Sequence, residues 1–142
     1  MRCVHVLSIL VCLSLASPVL CGELKVCPGA KAGQKATQEL EKAKGQARQM
    51  TAGLEASFYV TGDSFDKVYA FYKASAREYK MPGRAGAPRK LSSGQELKQA
   101  FFIFDAAEDL AGSKLWIKIQ RPYLSLEGDT RDVTSIAVSR KK

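Results

Sequence analysis

Histidine is almost missing from this sequence: 142 residues include one, His5. It sits in an apolar N-terminal stretch with the marks of a cleavable leader, so the mature chain is expected to carry no imidazole. That expectation excludes a His-dependent triad, a Cys–His dyad and a His-ligated zinc site. Cysteine is scarce as well, with four in all, at Cys3, Cys12, Cys21 and Cys27. The first two leave with the leader, which excludes a disulfide-rich toxin or growth-factor scaffold. Cys27 belongs to no Cys-x-x-Cys pair and reads as a buried thiol rather than a redox centre. There is one tryptophan, Trp116. Beyond the leader no apolar run approaches the roughly 20 residues that a spanning helix needs, and no internal repeat is present.

The leader reading rests on Arg2 as a minimal basic start, an apolar run from Val4 to Leu15, and small residues before Gly22. Residues 1–21 are therefore expected to be a signal peptide, which places the protein in the periplasm or outside the cell. Lipidation of Cys21 is a minor alternative, disfavoured because Leu20 precedes it where a small residue is expected. Removing 21 of the 142 residues leaves 121, enough for one domain with its own core. The formal charge of +8 drops to +7 with the loss of Arg2. Such a surface favours anionic partners, and in an exported protein lipid headgroups and acidic polysaccharide are the accessible ones; the bland reading is solubility alone.

Residues 22–53 read as an N-terminal segment holding a turn at Cys27-Pro28-Gly29 and a weak helix. In that helix Ala36, Leu40, Ala43, Ala47 and Met50 form a thin stripe at spacings of 4, 3, 4 and 3. Residues 54–142 read as the core of the same domain. Leu54, Ala56, Phe58 and Val60 alternate as in a half-buried strand. Thr61–Tyr79 then reads as one amphipathic helix, with Phe65, Val68, Tyr69, Tyr72, Ala76 and Tyr79 on a single stripe and Asp63 as its cap. Lys80–Gln95 reads as a mobile loop rich in Gly, Pro and cations. Three more strands follow: one around Gln99–Asp105, one with Leu115, Ile117 and Ile119 inward and Trp116 outward, and one with Thr134, Ile136 and Val138 on one face. The expected fold is α+β, a small antiparallel four-stranded sheet in the order helix-strand-helix-strand-strand-strand, with a helix packed on one face.

The words Cys27-Pro28-Gly29-Ala30, Tyr59-Val60-Thr61-Gly62-Asp63-Ser64-Phe65-Asp66-Lys67-Val68 and Phe71-Tyr72-Lys73 carry a resemblance. They resemble small exported proteins of Gram-negative bacteria with a Tyr-Pro-Gly-Ala turn and a strand–Thr-x-Asp-Ser–helix ending in Phe-Tyr-Lys; here Cys27 stands for the Tyr. The resemblance implies periplasmic placement and an α+β fold, and no reaction. The strand–helix–three-strand order is also similar to the cystatin-like arrangement, but the Gln-x-Val-x-Gly motif and the paired-cysteine C-terminal half are absent, so protease inhibition is not implied.

The functional expectation is a non-enzymatic binding or accessory module of the cell envelope. Arg84, Arg89 and Lys90 in the loop would meet an anionic envelope component or a protein partner, with Trp116 as an aromatic anchor. The alternative is a histidine-independent, metal-free enzyme working through carboxylates and tyrosines. No cofactor or metal is expected: Asp105, Glu108 and Asp109 cluster, yet lack the alternating oxygen spacing of a calcium loop. Gln99–Phe104 has some likeness to an RNA-stacking strand, but its glycines and element order do not fit, and no nucleic-acid partner is expected.

Overall fold

The computed structural model describes residues 24–35, 37–39, 53–83, 89–125 and 127–142. The leader, most of the weak-helix stretch and Arg84 lie outside the described residues. Residues 34, 35 and 37–39 are helical.

Among the described residues the chain is mostly β, which corrects the expected four-stranded α+β arrangement. Seven strands make one antiparallel sheet: β1 (Lys31–Ala32), β2 (Leu54–Thr61), β3 (Arg77–Tyr79), β4 (Arg89–Lys90), β5 (Glu96–Ile103), β6 (Leu115–Arg121) and β9 (Thr134–Lys141). Their spatial order is β1-β2-β9-β6-β5-β3, with β4 also paired to β5. A second sheet has two strands, β7 (Tyr123–Leu124) and β8 (Thr130–Arg131).

The unexpected strands come from stretches with weak strand signals of their own. β1 and β4 are two residues each, and both pair at an edge. β3 falls where the helical stripe was expected to continue. The helix ends earlier, at Phe65–Lys73, with Ala74 as C-cap. Just past that end both the N–H and the hydroxyl of Ser75 donate to the Tyr72 carbonyl, a local closure that competes with further helix. Arg77–Tyr79 then pairs with Phe101–Ile103, covering backbone groups that would otherwise be left at an open edge.

The start of the helix also differs from expectation. Ser64, not Asp63, is the N-cap, and its Oγ accepts from the Lys67 N–H at 3.3 Å. Asp63 instead takes the Lys67 ammonium at 2.9 Å. Asp66 in the first turn and Lys73 in the last complement the helix dipole.

The helix lies on one face of the sheet. Val68 and Tyr72 are fully buried against Phe102, Ile117, Ile119 and Ile136, each such side chain contributing about 1.5–3 kcal/mol by leaving water. The N-terminal strap crosses this core: Cys27 is buried, and its N–H donates to the Tyr72 hydroxyl at 3.2 Å. Arg121 ties the helix start to the sheet, donating to the Asp63 carbonyl at 2.8 Å and to the Asp132 carboxylate at 2.9 Å.

Candidate functional site: the far face of the sheet

Antiparallel register puts directly paired residues on the same face, so the pairings sort every strand residue. Ala100, Phe102, Ile117, Ile119, Ile136, Val138, Tyr59 and Thr61 share the helix side. The other side carries two neighbouring rows. One runs Arg77, Ile103, Trp116, Ser139, Ala56; the next runs Tyr79, Phe101, Lys118, Ala137, Phe58. Neighbouring strands stand about 4.8 Å apart, so Tyr79, Phe101 and Trp116 form one aromatic zone between Arg77 and Lys118. The Phe101 and Trp116 rings are 6.4 Å apart, tilted by 46°. Arg77 is exposed; Tyr79, Phe101, Trp116 and Lys118 are half-buried.

One end of this face is closed. The Tyr123 ring of β7 sits 5.3 Å from Phe58, and its hydroxyl donates to Glu39 at 2.7 Å. Burial, then the Glu39 hydrogen bond, push the Tyr123 phenol up to about 12. Gln120 and Ser135 are buried beneath this end, with the Gln120 amide donating to the Pro122 carbonyl and the Ser135 hydroxyl to the Gln120 carbonyl.

The strand carboxylates lie on one side of the sheet, whereas cations lie on both, with Lys90, Lys98, Arg121 and Arg140 on the helix side. The strand carboxylates of the seven-stranded sheet are Glu55, Glu78 and Glu96, and pairing places all three on the helix side. The far side carries Lys31, Arg77, Arg89, Lys118 and Lys141 and no strand carboxylate. Some of these cations are engaged: Arg77 donates to the Ala107 carbonyl and Lys141 to the Ala111 carbonyl. Arg89 and Lys90 are exposed and form no ion pair with a described residue.

The anticipated contact residues do not all meet. Arg89 stands opposite Leu97, and Trp116 opposite Ile103; six residues along β5 separate them by about 20 Å. Lys90 points to the helix side with Glu96. Trp116 faces away from the helix as expected, half-buried rather than fully exposed. Arg77 and Tyr79 were missed because they read as helix. Phe101 was readable from its alternation with Gln99 and Ile103, but its neighbours required the pairing.

Of the clustered acids, Asp105 is otherwise occupied. Burial pushes the Asp105 carboxyl up, but hydrogen bonds from the Lys114, Ala107 and Leu115 N–H groups and the Ser113 hydroxyl outweigh it and hold it below its usual range. A general acid at neutral pH needs the opposite shift. Burial pushes the Cys27 thiol up, with Asp63 adding to it, the reverse of what activates a nucleophilic thiol. Among the described residues no group of three or more His, Cys, Asp and Glu gathers to hold a metal ion, and no helix is long and apolar enough to cross a membrane. No protein-family profile, curated protein or solved structure matches this chain.

Proposed function

We propose that the protein is an exported, non-enzymatic binding or accessory module of the cell envelope that holds an anionic envelope component. The observation that supports this reading is the one-sided placement of the strand carboxylates, which leaves the far face with cations and aromatic rings and no strand carboxylate. Like-charge side chains on one face raise the local potential and draw anionic partners. The β4–β5 hairpin adds Arg89 and Lys90 at the sheet edge, where they are exposed. Export rests on the signal-peptide pattern of residues 1–21 and agrees with the resemblance to small exported proteins.

The test is capture on isolated envelope fragments over a series of salt concentrations. Capture is expected to weaken as salt rises, because exposed charge contacts are screened. A double change, Arg89→Ala with Lys90→Ala, is expected to reduce capture and flatten its salt dependence. Capture that neither responds to salt nor to these changes would rule the reading out.

A further inference from the structure

We infer that residues 74–80 are a conformational switch with two states. In one, seen in the structure, Arg77–Tyr79 closes the β5 edge as β3. In the other, the same residues continue the helix and leave that edge open. The inference goes beyond the proposed envelope function and does not depend on it.

Three observations carry it. First, no stop residue ends the helix at Lys73. Its C-cap, Ala74, is itself right-handed helical, at φ −71° and ψ −20°. No residue from Ala74 to Met81 is glycine or proline, and Pro82 is the first. Helices commonly close on a left-handed glycine just past the cap, and among the described residues only glycines take positive φ. Second, the helical hydrogen bonds already run past Lys73. The Ala74 N–H donates to the Ala70 carbonyl at 3.2 Å and the Ala76 N–H to the Tyr72 carbonyl at 2.9 Å, each the four-residue step of an α-helix. The two conformations therefore part at Arg77. Ala76 and Tyr79 keep the period of Phe65, Val68, Tyr69 and Tyr72, and alanine, glutamate and lysine favour helix over strand. Third, β3 is lightly held. It has three residues, none of them buried. Its side-chain anchors are Arg77, which donates to the Ala107 and Glu108 carbonyls, and Glu78, which accepts the Tyr69 hydroxyl at 2.8 Å. Segments with so little burial lie at the low-stability end of a fold.

Two local terms favour β3 as the resting state. The Ser75 hydroxyl donates to the Tyr72 carbonyl at 3.3 Å, which competes with further helix. In the helical state Lys73 and Arg77 would stand four residues apart, a like-charge pair that costs helix stability. Conversion to helix uncovers the backbone edge of Phe101–Ile103 and removes Arg77 and Tyr79 from the far face.

Minor states of such equilibria are populated at roughly 0.1–10 %, within reach of saturation-transfer NMR, which reads the shifts of the minor state itself. The minor-state α-carbon shifts of residues 77–79 are expected at helical values. Ser75→Ala combined with Arg77→Ala removes the hydroxyl closure, the carbonyl anchor and the like-charge pair. It is expected to raise the helical population about tenfold, the factor that loss of one hydrogen bond to a charged group brings. Ala74→Gly is expected to lower it about fivefold, the cost of glycine inside a helix. Unchanged β6 and β9 shifts identify a variant that keeps its sheet, and the wild-type measurement stands without either variant. No exchange at residues 77–79 in both the wild type and the double variant would overturn the inference. A minor state with random-coil shifts would overturn it too, because β3 would then fray without becoming helix. Envelope capture plays no part in this test, so a failure here leaves the proposed function standing.

Discussion

Tyr72 shows how much one side chain can decide. Its ring fills the space between the helix and Phe102, with centroids 6.2 Å apart, and its hydroxyl accepts the Cys27 N–H. Burial pushes the phenol up to about 12, against the hydrogen bond from Cys27. Tyr72→Phe keeps the ring but leaves the Cys27 N–H without its buried partner. We expect a loss of about 1–3 kcal/mol, read as a lower midpoint in denaturant unfolding with an unchanged slope. The periodicity marked Tyr72 as core. Nothing near it in sequence announced that its partner lies 45 residues upstream.

At the scale of elements, the connection from β5 to β6 is organised by Asp105. Its carboxylate gathers backbone N–H groups from Ala107, Lys114 and Leu115 and the Ser113 hydroxyl, and Ser113 is fully buried. Asp105→Asn is expected to cost about 1.5–3 kcal/mol, the range for hydrogen bonds to a charged group, measured by chemical unfolding at neutral pH. The lowered folded pKa sets the sign of the pH effect. The contribution is present above the usual carboxyl value of about 3.9 and fades as pH falls from there through the folded value. The Asn variant should lack that acid-side component. The acids of this loop were visible in the sequence as a cluster; their role as a staple rather than a site needed the geometry. The helix teaches a related lesson. Its stripe from Phe65 to Tyr72 was legible because a period of 3.6 leaves a plain mark. Ala76 and Tyr79 continued that period, and pairing with β5 overrode it.

At the scale of the whole molecule, the sheet separates two kinds of surface. One side is a core that holds the helix and the N-terminal strap. The other carries aromatic rings and cations, closed at one end by β7 and β8. If residues 1–21 act as a leader, the exported protein begins at Gly22, and its intact mass should equal that of residues 22–142. A mass with added lipid on Cys21, or a mass that retains the leader, would contradict this expectation.

Residue spacing along the chain was enough to mark the local elements with strong periods: the helix from Phe65, the alternation of Leu115, Ile117 and Ile119, and the inward set of Thr134, Ile136 and Val138. These follow from spacing, which is a property of neighbours along the chain. Composition showed the near-absence of histidine and the excess of cations. The remaining placements came from strand pairing. It added β1, β3 and β4, because two- and three-residue strands gain order only from the edge they join. It set β2 beside β9, and it brought Arg77, Phe101 and Trp116 together while holding Arg89 about 20 Å along the sheet from Trp116. Such placements depend on which backbone groups pair across long stretches of chain, and a side chain's face is fixed only once that register exists.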